Sequence, residues 1–303
     1  MNSTKTILQT DDLTKQYGDF TALDHVSLTL NQGDIYGLIG RNGAGKTTFF
    51  KCVMGLIKPT SGKVAICGET SNLNASRQKM GFMINPSFFP YLNPKENLTY
   101  LCDVKGVRVK GEVERLLNLV ELDGIKKPFK EFSLGMKQRL GIAGALLGSP
   151  PIVMLDEPIN GLDPQGIIDI RNIIKSVHAE TNTTFIISSH ILSELDLVAT
   201  QFGFIDHGVL LKEITHTDLH EHTKKMLVVE VNDALRAQYA LQSVGIHDLT
   251  LNANKLYLSS HLDRSNEINR ILVNSDVEVY DLHRKENTLE EYFMHLVGGG
   301  ENA

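Results

Sequence analysis

The 303-residue sequence has little cysteine, no long apolar run and no excess of positive charge. Its three cysteines, Cys52, Cys67 and Cys102, lie far apart and form no C-x-x-C pair, which argues against a zinc site or a disulfide framework. No apolar run approaches the roughly 20 residues that a membrane-spanning helix needs, and the N-terminus lacks the apolar region of a signal peptide. We therefore expect a chain that works in the reducing cytoplasm and reaches a membrane only through a partner.

The formal net charge is −6, from 30 basic and 36 acidic residues. This balance argues against nucleic-acid binding through bulk electrostatics. The hydrophobic content of 42% is ordinary for a globular chain, so the length can hold one large domain or two unequal ones without disulfide bonds.

Residues 40–47 carry the most informative pattern, because they fit the phosphate-binding sequence G-x-x-x-x-G-K-[ST] without mismatch. The apolar run 35–39 before them predicts a strand, and the run 48–54 after them predicts a helix. Glycines let backbone N–H groups converge on an anion, and the helix N-terminus adds a favourable field. Lys46 is expected to reach the outer phosphates, and Thr47 to place its hydroxyl on Mg²⁺. The alternative is a glycine-rich turn without a ligand, which the flanking strand and helix make the poorer interpretation.

A second signal is the apolar run 152–155, which ends in Asp156 and Glu157. Such a bounded run predicts a buried parallel strand, and strand alternation points adjacent carboxylates in different directions. Asp156 can then hold Mg²⁺ through water or Thr47, while Glu157 faces the γ-phosphate and orients or deprotonates a water. By itself an acidic pair after a strand is more commonly a turn. Paired with the upstream phosphate loop, it favours a hydrolytic site.

With these motifs the chain resembles the nucleotide-binding subunit of an ABC transporter over roughly residues 5 to 215. Five ordered motifs carry the resemblance: residues 40–48 resemble the Walker A loop, 132–139 the family signature, 156–157 Walker B with the catalytic glutamate, 160–163 the D-loop, and 188–190 the switch histidine. The resemblance implies that Tyr17 stacks on adenine. It also implies that the ATP cofactor is bound by Gly40, Arg41, Asn42, Gly43, Ala44, Gly45, Lys46, Thr47 and Thr48.

The expected fold class is α/β: a P-loop NTPase core of ABC type with an antiparallel β subdomain and a helical insert, plus a small C-terminal α+β domain. The expected organisation is an ATP-binding domain at 1–215 with its helical insert at about 88–148, a linker at 216–225, an accessory domain at 226–297 and a disordered tail at 298–303.

The resemblance implies that two chains close head to tail on two ATP molecules. Ser133 and Gly135 of one chain would act on the ATP of the other, and Asp163 would join that cofactor site. Ser133 could instead simply cap the helix that follows it, and both roles can hold together. The residues implied to be catalytic are Glu157, His190 and Lys46. Without the resemblance, a lone histidine such as His190 would usually be structural.

Two positions depart from the family pattern. Leu134 and Met136 replace the usual Gly and Gln of the signature, although the phosphate-contacting Ser133 and Gly135 are retained. Asn85 stands where the family normally has a Gln that reaches Mg²⁺ and the attacking water, and its side chain is one methylene shorter. The expected metal ligands are therefore Thr47 and Asp156, with Asn85 contributing directly or through a bridging water.

The loop at 84–89, the signature at 133–140 and the total length are similar to bacterial exporters for peptide antibiotics, of the bacitracin-resistance and lantibiotic-immunity kind. The expected function is ATP hydrolysis, with ATP and Mg²⁺ as cofactors, that powers such an exporter at the cytoplasmic face of a bacterial membrane. The expected partners are a second copy of the domain and separately encoded permease subunits, with no nucleic acid. The aromatic residues Phe88, Phe89 and Tyr91 are either core or a socket for the permease's coupling helix.

Two other functions are possible for a chain with these motifs. A soluble ABC-type ATPase acting on the ribosome or nucleic acid usually has two ATPase domains or a long coiled-coil insert. This chain has one Walker A loop, no heptad insert and no basic stripe. A regulatory or sensory module is the other possibility, and it depends on the C-terminal domain alone.

Overall fold

The computed structural model describes residues 5–222, 225–286 and 289–298. By internal contacts the chain divides into two compact units, Met1–His216 and Thr217–Ala303. The first unit ends one residue beyond the end expected for the ATP-binding domain. Residues His216–His222 form a helix within the segment expected to be a linker. The expected tail lies outside the described residues, except for Gly298, which ends the last helix.

The helices and strands of the first unit are, in chain order, β1 (Thr6–Tyr17), β2 (Phe20–Asn31), β3 (Ile35–Ile39), α1 (Lys46–Val53), β4 (Ser61–Ile66), α2 (Leu73–Arg77), β5 (Met80–Met83), α3 (Pro94–Lys105), α4 (Glu112–Leu119), α5 (Leu134–Leu146), β6 (Ile152–Asp156), α6 (Pro164–Thr181), β7 (Thr184–Ser189), α7 (Leu192–Asp196), β8 (Gln201–Asp206) and β9 (Val209–Thr215). Then follow α8 (His216–His222), β10 (Lys225–Val231), α9 (Ala234–Ser243), β11 (Leu249–Asn252), β12 (Lys255–Leu258), α10 (Ser265–Asn274), β13 (Val279–Glu286) and α11 (Leu289–Gly298).

A six-stranded sheet forms the centre of the first unit, with strand order β5-β6-β7-β3-β8-β9. The strands from β5 to β8 pair in parallel, and β9 pairs antiparallel with β8. Strands β3 and β7 are buried along their whole length, as expected for strands of a parallel sheet that is covered on both faces, although β7 carries Thr184, Ser188 and Ser189. The register sets Ile39 beside Ser189, and Asp156 beside Ser188. The carboxyl ends of three strands therefore meet at one edge, where α/β proteins bind their ligands.

A three-stranded antiparallel sheet of order β2-β1-β4 makes up the second layer of this unit. Its apolar residues and those of β3 and α1 belong to one buried cluster. The β1–β2 hairpin turns between Tyr17 and Phe20, which are cross-strand partners. The helices α3, α4 and α5 form the expected helical insert between β5 and β6. The predicted α/β core with an antiparallel β subdomain is thus confirmed.

After α8, the second unit has the element order β-α-β-β-α-β followed by a last helix. Its sheet is antiparallel with order β11-β12-β10-β13, and α9 and α10 pack on it. This order and connectivity are those of a ferredoxin-like fold. Alternate residues of β10 (Leu227, Val229 and Val231) enter a buried cluster with Ala237 and Leu272 of the two helices. Among the described residues, no helix combines the length and the apolar character needed to cross a bilayer.

Candidate nucleotide site

The phosphate-binding loop runs from the end of β3 into α1, and two of its glycines are required by geometry. Gly45 immediately precedes α1 with φ 109°, where an added Cβ would lie 2.7 Å from the backbone oxygen of Ala22. A Cβ on Gly40 would collide with the backbone oxygen of Ile205. Glycine alone fits both positions, so the loop can wrap tightly and present its N–H groups to an anion.

A cavity of about 320 Å³ opens over this loop. It is lined by Phe20, Ala22, Arg41, Asn42, Gly43, Ala44, Gly45, Lys46, Thr47, Thr48 and Glu157. Eight of the nine loop residues expected to contact the nucleotide, residues 41–48, therefore share one cavity with the expected catalytic glutamate, whereas Gly40 is not among the lining residues. Its volume is within the range of small-molecule sites.

Lys46 joins the loop to the catalytic carboxylate. Its side chain is 6% exposed, and Nζ donates to the backbone oxygens of Gly40 at 2.6 Å and Arg41 at 3.1 Å. The same Nζ forms an ion pair with Glu157 Oε1 at 3.1 Å. A negatively charged phosphate entering the cavity would compete with Glu157 for this ammonium group.

Asp156 and Thr47 meet as the metal prediction requires. Thr47 Oγ1 donates to Asp156 Oδ2 at 2.7 Å, and Ser188 Oγ donates to Asp156 Oδ1 at 2.6 Å. The hydroxyl and carboxylate oxygens of Thr47 and Asp156 are the donor types that Mg²⁺ prefers, so these residues fit that ion. The backbone N–H of Glu157 donates to Ser188 Oγ at 2.9 Å. The buried Ser188 thus orients both acidic residues, a role that the sequence did not indicate.

Glu157 lies between two expected catalytic partners. Its backbone has φ 49°, so the chain leaves the extended conformation of β6 at this residue. The carboxylate has Oε1 at 3.1 Å from Lys46 Nζ and Oε2 at 2.9 Å from His190 Nδ1. The three residues that the resemblance implied to be catalytic are therefore in direct contact, although they are far apart in sequence.

Two aromatic residues flank the cavity at the β1–β2 turn. Tyr17 is 50% exposed, and the Lys15 ammonium lies 4.8 Å from its ring centroid. Phe20 is 63% exposed and lines the cavity itself, whereas Tyr17 is not among the lining residues. The sequence therefore singled out the hairpin that borders the cavity but not Phe20, which its proximity to Tyr17 across a tight turn could have suggested; the stacking role of Tyr17 stays a prediction.

Ser133, Gly135 and Asp163 lie together at a second cavity of about 350 Å³. Among the described residues, none lines both this cavity and the one over the phosphate loop. Ser133 Oγ accepts from the Met136 N–H at the start of α5, and Asp163 accepts from the Gly166 N–H at the start of α6. Both residues are helix caps, as one of the two interpretations of Ser133 required.

The structure places two of the residues that depart from the family pattern, Leu134 and Asn85, away from the cavity over the phosphate loop. Leu134 packs against the D-loop, where a Cβ on Gly161 would lie 3.2 Å from Leu134 Cδ2. Asn85 follows β5 with φ 44° and lines a third cavity, of about 240 Å³, together with Phe88. That cavity is not the one over the phosphate loop, so the metal role of Asn85 stays a prediction.

The aromatic residues near Asn85 divide between core and surface. Phe88 packs on Phe129 with ring centroids 5.3 Å apart. Phe89 makes an edge contact with Tyr100 at 4.8 Å, and Tyr91 is 70% exposed. Phe88 therefore fits the interpretation as core, and the exposed Tyr91 fits the interpretation as a contact surface for the permease.

Comparisons with known proteins agree with this geometry. A family model described as ABC transporter matches residues 23–160. The bacitracin transport ATP-binding protein BcrA of Bacillus licheniformis is 41% identical over 301 residues, covering 97% of this chain and 98% of the relative. The lantibiotic transport ATP-binding protein SrtF of Streptococcus pyogenes is 42% identical over 208 residues, covering 68% and 90%. The dimeric bacterial ABC transporter cassette MJ0796 superimposes with a TM-score of 0.64 at 26% identity, covering 69% of this chain and 99% of that one.

Proposed function

The chain belongs to the family of ABC transporter ATP-binding subunits, and on that basis we propose that it hydrolyses ATP to power the export of a peptide antibiotic or lantibiotic. The observation that carries the proposal is the contact of Lys46 and His190 with Glu157 beside the Thr47–Asp156 pair. These groups supply phosphate binding, a metal site and a base at one edge of the sheet.

Substrate binding rests on the phosphate loop. The N–H groups of the loop and the start of α1 attract the phosphates, and Lys46 supplies a positive charge that is held in place by two backbone oxygens. Thr47 and Asp156 would hold Mg²⁺, which supplies charge neutralisation for the β- and γ-phosphates. Ser188 keeps Asp156 oriented toward Thr47.

The chemical step rests on Glu157. A carboxylate between Lys46 and His190 can orient a water for in-line attack on the γ-phosphate and accept its proton. His190 fixes the direction of that carboxylate through Nδ1 and leaves its other ring nitrogen to contact the phosphate. Transfer of Lys46 from Glu157 to the phosphates would free the base when the substrate enters.

A complete site requires a second chain in this proposal. The signature serine and the D-loop border a cavity separate from the phosphate loop, so one chain carries two half-sites. The structurally similar cassette MJ0796 is dimeric. Head-to-tail pairing would bring Ser133 and Gly135 of one chain against the nucleotide on the other, where a helix N-terminus favours an anion.

The transport role follows from the relatives. BcrA aligns over nearly the whole chain, including the second unit, and it is named as a bacitracin transport protein. We place this chain at the cytoplasmic face of a membrane, bound to separate permease subunits, with the exposed Phe89 and Tyr91 beside the contact surface. The ribosome- or nucleic-acid-directed alternative is not favoured, since the relatives are transport proteins and the net charge is −6.

The proposed chemistry is tested with Glu157→Gln, which keeps the size of the side chain but removes the base. Nucleotide binding and ATP-dependent dimerisation should persist while hydrolysis falls by about 10²–10⁴-fold, the usual contribution of a general base. Phosphate release and size-exclusion chromatography with ATP measure the two effects. Lys46→Ala is the contrasting variant, because it should lose tight ATP binding itself. Hydrolysis at the wild-type rate in Glu157→Gln contradicts the role assigned to this residue.

The transport role has its own experiment. Cells that express the chain with its permease subunits should tolerate more bacitracin or lantibiotic than cells in which the chain carries Glu157→Gln. Equal susceptibility of the two strains, at equal protein levels in the membrane fraction, contradicts antibiotic export but leaves ATP hydrolysis standing.

A further inference from the structure

A groove outside the nucleotide site lies between the end of α1, β4 and α2. Its volume of about 680 Å³ exceeds that of the cavity over the phosphate loop. Its lining includes the apolar residues Ile57, Val64 and Leu73 and the basic residues Lys58, Lys63 and Arg77. We call it the basic groove, after Lys58, Lys63 and Arg77. None of the described residues that line it belongs to the nucleotide cavity.

The three cations of the basic groove form no ion pair within the part of the chain that the structure describes, although Asp11 is the cross-strand neighbour of Lys63. Lys58 and Lys63 are exposed. Arg77 is partly buried, with Nε donating to the Val53 oxygen at 2.9 Å and Nη2 to the Cys52 oxygen at 3.4 Å. A guanidinium has five N–H donors, so these two bonds fix its position and leave donors for a ligand.

The carboxylate next to the groove in sequence does not neutralise it. Glu69 accepts hydrogen bonds from the Ser71 hydroxyl and N–H and from the Asn72 N–H, at 2.5 to 3.1 Å. The Ser71 bonds, the hydroxyl foremost, hold the pKa of Glu69 at about 2. These bonds hold the ionised Glu69 carboxylate against its own turn. No carboxylate is among the residues that line the groove, so the net charge of the lining is positive.

The floor of the groove is apolar. Val64 belongs to the main buried cluster, and Ile57 and Leu73 pack against that cluster. The cations thus surround a recessed apolar surface. This arrangement fits a segment that inserts an apolar side chain and places carboxylates at the rim.

We propose that the basic groove binds an acidic amphipathic polypeptide segment of the membrane subunit. The identity of that subunit rests on the proposed transport function, whereas the chemistry of the segment rests on the groove. A flat anionic bilayer would leave the recessed floor unused, and a nucleic-acid backbone would gain nothing from Ile57, Val64 and Leu73. Charge complementarity together with the apolar floor therefore favours an acidic peptide.

The direct test measures binding of the full-length chain to a fluorescent amphipathic helical peptide with Glu on its polar face. A matched peptide carries Gln instead, and vesicles of phosphatidylglycerol or phosphatidylcholine serve as the lipid probes. The Glu peptide should bind more tightly than the Gln peptide, and salt should weaken its binding. Lys58→Glu/Lys63→Glu should reduce this binding by about tenfold or more. Lys126→Glu/Lys175→Glu, with the same charge change at exposed positions elsewhere, should not.

Three outcomes of the binding test overturn the proposal. The chain does not bind the Glu peptide, it binds the Gln peptide equally well, or it binds phosphatidylglycerol vesicles and not the Glu peptide. In the purified complex, Lys58→Glu/Lys63→Glu should dissociate from the membrane subunit at lower salt than the control variant. If both variants dissociate from the membrane subunit at the same salt concentration, the proposal is also overturned. The isolated variant should keep wild-type ATP hydrolysis, because neither lysine lines the nucleotide cavity. Absence of hydrolysis in the wild-type chain counts against the proposed function instead.

Discussion

Ser188 illustrates how much of the nucleotide site depends on a residue without chemistry of its own. It is fully buried, donates to Asp156 and accepts from the Glu157 N–H. The proposed metal ligand, Asp156, and the proposed base, Glu157, are neighbours in sequence, and one hydroxyl bonds to both of them. Although Ser188 lies in the motif 188–190, that motif did not indicate this role, because the contact with Asp156 arises only when β7 pairs with β6.

Ser188→Ala should reduce the Mg²⁺ affinity or ATP turnover by about 10–100-fold, the usual cost of losing a group that orients a metal ligand. The measurement is the rate of ATP hydrolysis as a function of Mg²⁺ concentration. Ser189→Ala is the control, since the Ser189 hydroxyl bonds to the backbone of Ile191 rather than to Asp156. Equal Mg²⁺ dependence in the two variants contradicts the role of Ser188.

Phe20→Ala should weaken ATP binding by about 5–100-fold, because aromatic stacking on a base contributes about 1–3 kcal/mol. Binding of inorganic tripolyphosphate, which has no base, should be unchanged. Tyr17→Ala tests the family-based expectation in parallel by the same two measurements. If only Tyr17→Ala weakens ATP binding, Phe20 merely borders the cavity and the base lies on Tyr17.

At the level of strands, the contact between β3 and β8 shows why a small residue is required within a sheet. Tyr36 is fully buried and donates its hydroxyl hydrogen to Glu213 at 2.7 Å. Burial, with the neighbouring Glu213 carboxylate, holds the pKa of Tyr36 well above its usual value, so the hydroxyl stays a donor. A Cβ on Gly203 would overlap that hydroxyl. The strand pairing and the hydrogen bond therefore depend on glycine at this position.

Gly203→Ala should lower the thermal unfolding midpoint, since overpacking typically costs about 1–3 kcal/mol. Tyr36→Phe alone should cost about 1 kcal/mol for the lost hydrogen bond. The double variant should be less destabilised than the sum of the two, because loss of the oxygen removes the closest contact of the added methyl group, although Cζ of the ring would still lie 2.7 Å from it. Strict additivity in calorimetry contradicts the proposed clash.

Element types were predictable where apolar patterning is strong. The buried strands β3, β6 and β7 and the helix after the phosphate loop follow from unbroken or periodic apolar runs. The sequence did not predict α2, which has five residues, or β9, whose residues are mostly exposed. Both lack a buried stripe of their own: β9 forms by pairing with β8, and α2 begins at an Asn72 cap. Pairing with a distant strand and capping by one side chain carry little periodic signal.

For the whole molecule, the division at His216 predicts that the two units are separable. A chain that ends after residue 216 should bind ATP with an affinity of the same order as the full chain, because every residue lining the nucleotide cavity precedes the division. Fluorescent nucleotide titration and circular dichroism measure affinity and folding. A truncated chain that is folded but does not bind ATP contradicts the independence of the nucleotide site.

Because Lys46 and Ser133 border two different cavities of the first unit, variants of these two residues should complement each other in a dimer. Each homodimer of Lys46→Ala or of a Ser133 variant would contain two sites, both with one damaged half. In a mixed dimer of the two variants, one site would contain both substitutions. The other site would combine the unchanged Lys46 of one chain with the unchanged Ser133 of the other. Two inactive proteins should therefore restore ATP hydrolysis when they are unfolded and reassembled together, whereas a single chain that carries both substitutions rescues neither parent.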